Sequence, residues 1–152
     1  MFNFRYLITL LLLTIVSPVA LADITIEDAW IREAPPVSRV QAAYATFKNS
    51  QADDVELIKA TSPAFAKIEF HKTISENGLT KMQAQASVTI PAKGNAELKP
   101  EGMHMMLFNP VNPVRAGNKI EFHFTFSNGN TTSSSFIVKK ATGINHHQHM
   151  HH

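Results

Sequence analysis

The stretch IEFHFTF, residues 120–126, alternates apolar and polar residues without a break. Its apolar members recur at every second position, and they are Ile120, Phe122, Phe124 and Phe126. Because successive side chains of a β-strand point to opposite faces of a sheet, this period predicts a strand with one buried face and one polar face. The stretch therefore indicates a core built from strands rather than from helices.

Similar short β-prone segments occupy most of the remaining chain. They cover residues 24–27, 42–48, 55–60, 66–72, 79–84, 87–91, 103–108 and 135–139. Turn signals rich in proline, glycine and asparagine separate them, and the pair Asn128-Gly129 predicts a type I′ hairpin directly after the alternating stretch. No segment keeps a helical period for ten residues. We therefore predict an all-β antiparallel sandwich or barrel of about seven to nine strands.

Residues 1–22 have the features of a secretory signal peptide. Arg5 is their sole charge, an apolar run follows over residues 6–16, and small residues precede a cleavage point after Ala22. The apolar run is shorter than the roughly 20 residues that a membrane-spanning helix needs. We therefore expect a periplasmic protein that has no membrane anchor after cleavage and whose domain covers residues 23–140.

The charge balance and the lack of cysteine exclude several classes of function. The 14 Lys and Arg residues nearly balance the 12 Asp and Glu residues and are scattered along the chain, so no basic footprint for nucleic acid or an anionic membrane is expected. Without cysteine there is no disulfide framework, no thiol redox chemistry, no blue-copper centre and no site for lipoprotein processing. We expect a monomer held together by its apolar core.

The placement of histidine and methionine suggests a metal site. His104 and Met106 are two residues apart in a β-prone segment, so their side chains point to the same face of a strand and can converge on one ion. Met103 and Met105 then point the other way, toward the expected core. These two residues are interpreted as core methionines, the usual role of methionine in a β protein.

Two further residues complete a candidate ligand set. His71 is expected on the polar face or at the end of its strand, and Met82 follows a Glu-Asn-Gly turn that could return it antiparallel beside His71. The set has the spacing His71-x10-Met82-x21-His104-x-Met106. His123 lies on the polar face of the alternating stretch and is interpreted as a solvated side chain.

The donor atoms of this set favour copper over other metals. Cu(I) is soft and prefers thioether and imidazole ligands, whereas zinc prefers cysteine, histidine or carboxylate and calcium needs oxygen ligands. Methionine cannot form a disulfide, so a site of this kind survives in an oxidising compartment, although sulfoxide formation remains a risk. We therefore predict that His71, Met82, His104 and Met106 bind Cu(I).

Several segments that bind nothing accompany this ligand pattern. They are DAWIR at 28–32 with Pro35-Pro36, AAY at 42–44, SPA at 62–64, IEFH at 68–71, IPA at 90–92, LKP at 98–100 with Gly102, and HMML at 104–107. Together with the H-x10-M-x21-H-x-M spacing, which is matched without insertion or deletion, they resemble the periplasmic copper(I) chaperones of the PCuAC family. The likeness spans roughly residues 24–138.

The resemblance implies a fold and a function. It implies a cupredoxin-like Greek-key β-barrel that binds Cu(I) at an exposed site. It also implies delivery of copper to subunit II of cytochrome c oxidase, for the dinuclear CuA centre, alongside Sco-type copper chaperones. Some members of the family carry histidine- and methionine-rich C-terminal extensions that bind additional copper, including Cu(II).

The C-terminal segment, residues 141–152, differs abruptly in composition from the domain before it. Its candidate ligands are His146, His147, His149, Met150, His151 and His152. We predict a disordered tail that provides a second, Cu(II)-binding site, since imidazole accepts Cu(II) readily. The alternative interpretation is a purification tag, but Gln148 and Met150 interrupt the histidine run.

Two other classes of function stay open at this point. An enzyme is disfavoured because no paired carboxylates, nucleophile elbow, phosphate-binding loop or thiol is recognisable. Periplasmic copper storage or buffering, as a means of copper resistance, would use the same ligands as delivery. Only a transfer experiment separates storage from delivery.

Overall fold

The computed structural model describes residues 23–141, which form ten β-strands and no α-helix. The strands are β1 (Ile24–Arg32), β2 (Val40–Asn49), β3 (Val55–Thr61), β4 (Phe65–Glu76), β5 (Leu79–Gln85), β6 (Val88–Ile90), β7 (Asn95–Leu98), β8 (Met103–Pro110), β9 (Lys119–Phe126) and β10 (Thr131–Lys139). Within these residues no helix could cross a membrane. The predicted signal peptide, residues 1–22, and the tail beyond Ala141 lie outside the described residues.

The strands form one mixed sheet whose order is β5-β4-β8-β2-β1-β10-β9-β3-β6, with β7 paired to β2. The sheet is not closed, so the predicted barrel is an open one, and it is called the barrel below. The path places β5 at one end, next to β4 and then β8. The predicted all-β class is confirmed, and the three strands at this end carry all four predicted copper ligands.

The strand count and the strand direction differ from the prediction. The tenth strand is β7, whose sequence Asn-Ala-Glu-Leu consists largely of residues that are depleted in strands. Pairing with β2, from Ala45 opposite Leu98 to Lys48 opposite Asn95, stabilises it. The sheet is also not purely antiparallel, because β1 and β10 pair in parallel. These two strands are the first and the last along the sequence, so no local pattern could reveal their relative direction.

The hairpin at Asn128-Gly129 exists, but the predicted type I′ turn is wrong. β9 and β10 pair antiparallel, and the amide of Gly129 donates to the carbonyl oxygen of Phe126. Of the two expected central residues, Asn128 and Gly129, only Gly129 has a positive φ, of 83°. A type I′ turn needs a positive φ at both central residues. The connection is therefore a three-residue loop in which a type I turn is followed by one left-handed residue.

The alternating stretch forms a strand with one buried face, as predicted, and this face lies at the centre of the core. Phe122, Phe124 and Phe126 of β9 are almost completely buried. Phe47 meets Phe124 edge-on with the ring centroids 5.1 Å apart, and Phe136 lies 4.4 Å from Phe122. Aromatic pairs of this geometry contribute beyond the area that they bury, so β9 anchors the strands that pack against it.

This core also fixes which face of β8 points outward. Met105 and Leu107 are completely buried in the core cluster. Because the side chains of a strand alternate, His104 and Met106 must point to the opposite face. The core burial of Met105, and the packing of Met103 against the core, confirm that these two methionines are structural.

Candidate metal centre

The four predicted ligands lie on the adjacent strands β5, β4 and β8. His71 of β4 is the direct antiparallel partner of His104 on β8. Met82 of β5 is opposite Thr73, two residues beyond His71, and Met106 is opposite Glu69, two residues before it. Directly opposed residues share a face of the sheet and diagonal neighbours are within reach of long side chains. All four side chains therefore belong to one face and one small region.

A shallow depression of about 370 Å³ collects three of these side chains. Met82, His104 and Met106 line it together with residues of β1, β2 and the segment between them. The lining is predominantly apolar and includes Pro35, Val40 and Ala42 among its carbon-rich walls. Thioether and imidazole groups in an apolar depression are suited to a soft metal ion such as Cu(I).

His71 is not part of this lining and lies beside it. Its ring centroid is 6.1 Å from that of His104, with the two planes tilted by 36°. Two imidazoles that share one ion have similar centroid separations, roughly 5–6 Å, because each metal–nitrogen bond is about 2.0 Å long. The pair of rings is therefore spaced for a shared ion after a small adjustment.

The sulfur and nitrogen donors differ in their exposure. Met82 is 60% exposed, whereas His104 is only 4% exposed. An ion held here would rest on a buried imidazole and be covered by a thioether at the protein surface. The candidate site is therefore open to solvent on the side of β5.

The hydrogen bond of His104 settles which ring nitrogen is free. Its Nδ1 is 3.0 Å from the carbonyl oxygen of Gly102. A carbonyl oxygen can only accept, so Nδ1 carries the hydrogen and Nε2 of the neutral ring keeps its lone pair. Metal-binding histidines usually donate their other ring N–H to a carbonyl or carboxylate in this way.

His71 is held by a carboxylate. Its Nε2 lies 2.9 Å from Oε2 of Glu69, while its Nδ1 is buried and has no hydrogen-bond partner among the described residues. Lys67 contacts the other oxygen of the same carboxylate. The hydrogen bond from Lys67, followed by that from His71, lowers the pKa of Glu69. Leaving a buried nitrogen without a partner costs about 1–3 kcal/mol, so a ligated ion would relieve this cost.

His123 is placed as predicted, away from the site. It lies on β9, its side chain is 51% exposed, and its Nδ1 is 2.8 Å from the hydroxyl oxygen of Ser133. Within residues 23–141 no three or more side chains among histidine, aspartate and glutamate are arranged to hold a metal.

Two larger depressions, of about 460 and 400 Å³, lie elsewhere on the domain. Both include Asp23 in their walls, and neither is lined by a histidine or a methionine. They offer no thioether or imidazole donors, so the 370 Å³ depression beside Met82, His104 and Met106 is the one that fits the predicted copper site.

Comparison with known proteins places the chain in a family. A family model described as "Putative lipoprotein LpqE-like" matches residues 24–138. The chain belongs to this LpqE-like family. The protein "Putative lipoprotein Lxx21020" from Leifsonia xyli is 33% identical over 123 residues, which cover 80% of this chain and 73% of that protein. An uncharacterized protein from Rickettsia prowazekii is 32% identical over 101 residues, and the match spans 55% of its length.

Solved structures similar to the LpqE-like protein are PCuAC domains. The copper-bound PCuAC domain from PmoF2 has a TM-score of 0.68 and 20% identity, and the match covers 80% of this chain and 97% of that domain. The CuI form of DR1885 from Deinococcus radiodurans has a TM-score of 0.65 and 27% identity, with 82% and 83% covered. The resemblance to the PCuAC family is confirmed, and with it the cupredoxin-like fold.

The residues that orient His71 and His104 of the LpqE-like protein were not predicted from the sequence. Glu69 and Gly102 each lie two residues before a histidine and fix the orientation of its ring. The same-face position two residues before His71 made Glu69 a candidate partner, but this spacing does not by itself predict the contact. No signal pointed to Gly102, because its contribution is a backbone carbonyl.

Arg32 also went unnoticed, although it lines the depression. Its guanidinium lies 6.0 Å from the ring centroid of Trp30 and 5.6 Å from that of Tyr44. Burial raises the pKa of Tyr44, and the nearby positive charge of Arg32 partly opposes this shift. Trp30 and Tyr44 therefore hold the positively charged Arg32 side chain in the wall of the depression in the LpqE-like protein.

Proposed function

We propose that this LpqE-like protein is a periplasmic copper chaperone that binds Cu(I) through His71, Met82, His104 and Met106. The observation that carries the proposal is the placement of two imidazoles and two thioethers on one face of three adjacent strands. Three of these side chains line one depression, and the fourth, His71, has a buried nitrogen with no hydrogen-bond partner within residues 23–141. This donor set is the one that Cu(I) prefers.

The known copper complexes of similar proteins support the choice of metal. The DR1885 structure contains CuI, and the PmoF2 domain is described as copper-bound. Zinc would favour cysteine, histidine or carboxylate over thioether. The two methionines of the site are therefore the feature that favours copper.

The exposure of Met82 supports delivery rather than permanent retention. A partner can approach an ion at this position without a large change in the domain, because β5 is the end strand of the sheet path. We propose that the recipient is subunit II of cytochrome c oxidase, with Sco-type copper chaperones acting in the same assembly of the CuA centre. The alternative is copper storage or buffering, which would need the same site but no recipient.

A location outside the cytoplasm supports this proposal. The relative from Leifsonia xyli is named "Putative lipoprotein Lxx21020", and lipoproteins are an exported class of protein. Residues 1–22 of this chain have the composition of a signal peptide, and the sequence contains no cysteine that could carry a lipid. We propose that the protein is released into the periplasm after cleavage.

The experiment that tests the proposed function is a transfer assay. The mature protein, loaded with one Cu(I) under anaerobic reducing conditions, is mixed either with the copper-free CuA domain of subunit II or with a small chelator of matched affinity. We expect faster transfer to the domain than to the chelator, because a chaperone passes its ion within a complex. Equal rates, or no transfer to the domain, would favour storage. Oxidase and reductase assays on the loaded protein test the enzymatic alternative.

We also propose that the C-terminal tail binds Cu(II) separately from the barrel. Deletion of residues 145–152 is expected to remove most Cu(II) binding and to leave the Cu(I) site unchanged, because imidazoles dominate the tail while thioethers favour Cu(I). Ala141, where the described chain ends, lines the depression, so copper bound by the tail would be concentrated near the barrel site.

Titration of the full-length and truncated proteins with Cu(II), and then with Cu(I), measures the binding stoichiometry of each ion and shows whether the two sites are separate. His123→Ala provides the matched control, since it removes an exposed imidazole outside the tail and is expected to leave the Cu(II) stoichiometry unchanged. An unaltered Cu(II) stoichiometry after truncation would show that the tail is not a copper ligand. Equal loss of both ions would mean that the tail and the barrel form a single site.

A further inference from the structure

We propose that Glu69 is a positioning residue that makes His71 bind the metal through Nδ1, whereas His104 binds through Nε2. The inference rests on the proposed copper-binding function and deepens it. It assigns a role to a residue outside the four-residue ligand set, and it predicts that the two imidazoles present different ring atoms to one ion.

The hydrogen bonds determine the two ring orientations. The ionised carboxylate of Glu69 can only accept, so the hydrogen of the neutral His71 ring is on Nε2, 2.9 Å from Oε2. Nδ1 of His71 then keeps a lone pair, and it is buried without a partner among the described residues. In His104 the carbonyl of Gly102 takes the hydrogen at Nδ1 instead. The free nitrogens are therefore Nδ1 in one ring and Nε2 in the other.

Each carboxylate oxygen of Glu69 has a partner, one in His71 and the other in Lys67. Lys67 contacts its second carboxylate oxygen, and the Lys67 ammonium lies 5.7 Å from the centroid of the Phe108 ring. Lys67, Glu69 and His71 alternate along β4, so they share the outer face. Glu69 is also opposite Met106 on β8. The carboxylate thus lies among the proposed ligands with its orientation fixed.

The same tripeptide occurs a second time and shows that spacing alone does not create this contact. Glu121-Phe122-His123 on β9 repeats the sequence of Glu69-Phe70-His71. There the closest carboxylate–imidazole distance is 4.0 Å, and His123 pairs with Ser133 instead. The short hydrogen bond at Glu69 therefore belongs to the metal-site environment rather than to the strand geometry.

Two variants and one matched control test the role of Glu69. Glu69→Leu removes the acceptor, Glu69→Gln keeps an acceptor oxygen without the charge, and Glu121→Leu makes the corresponding change in the second tripeptide. Because outer partners of metal-binding histidines typically change metal affinity by about 10- to 100-fold, we expect Glu69→Leu to weaken Cu(I) binding by that factor. Glu69→Gln should recover most of the loss, and Glu121→Leu should have no effect.

A second measurement needs no copper. The ¹⁵N spectrum of the histidine rings in the copper-free protein, at about pH 8, above the range in which histidine usually titrates, reports which nitrogen carries the hydrogen. We expect hydrogen on Nε2 of His71 and on Nδ1 of His104, and Glu69→Leu should shift only His71 toward a mixture. A merely structural carboxylate would leave this signature unchanged.

The two measurements separate the failure of this inference from that of the proposed function. Hydrogen on Nδ1 of His71 in the native protein, or an unchanged spectrum and affinity in Glu69→Leu, would overturn the role of Glu69. Absence of Cu(I) binding by the native barrel would overturn the proposed function, while the ring spectrum would still decide the orientation of His71.

Discussion

Replacement of either site methionine by leucine is expected to weaken Cu(I) binding by roughly 100-fold or more, since even residues that only support metal ligands change affinity by 10- to 100-fold. Met82→Leu and Met106→Leu preserve apolar volume and remove the sulfur donor, so the fold should change little. Met82 is 60% exposed, and its replacement should be almost neutral for stability. Competition with a chromogenic Cu(I) chelator measures the affinity, and thermal unfolding of the copper-free protein measures the stability.

The other two methionines of the barrel provide matched controls. Met105 is completely buried, and Met103 packs against the core. Met105→Leu and Met103→Leu are expected to change stability by less than about 1.5 kcal/mol and to leave Cu(I) affinity unchanged. The proposed ligand set would be wrong if a core variant lost copper, or if Met82→Leu and Met106→Leu kept full affinity.

Phe122→Ala is expected to destabilise the domain by about 3–5 kcal/mol, the range for truncating a buried aromatic residue in a packed core. Phe122 is completely buried and contacts Phe136, Phe124 and Phe65, with ring centroids 4.4, 6.1 and 6.3 Å away. Since small domains are stable by only about 5–15 kcal/mol, this variant should be partly unfolded near its working temperature. Urea unfolding of the copper-free protein measures the loss.

Ile58→Ala on β3 serves as the control for this truncation. Ile58 is 48% exposed, so its removal should cost less than about 1 kcal/mol. A similar cost for both variants would mean that β9 does not form the centre of the core, which would undermine the account of how His104 and Met106 come to face outward.

Much of the fold could be predicted because the local pattern and the tertiary packing agree. The alternation through β9 placed three phenylalanines on one face, and all three are buried. The short strand β7 was missed because three of its four residues are of types depleted in strands. The hairpin turn was misassigned because Asn128 does not adopt a positive φ. Such local details depend on the strands that surround them.

The sequence by itself determined which residues share a strand face. His104 and Met106 point the same way because they are two residues apart, and Met105 points into the core because it lies between them. Successive side chains of a strand point to opposite faces of the sheet, whichever strands are its neighbours. The pairing of His104 with Met106 followed from this alternation. His71 and Met82 joined the candidate set through the chemistry of their donor atoms and through the spacing shared with the PCuAC family.

The tertiary structure alone decided which strands are neighbours and in what register. His71 meets His104 because β4 pairs with β8 in one alignment, and a shift of one residue would turn the ring to the other face. The two Glu-Phe-His tripeptides are identical in sequence, yet only Glu69 holds its histidine at hydrogen-bond distance. Contacts between strands arise from long-range pairing that buries the core as a whole, so no local pattern contains them.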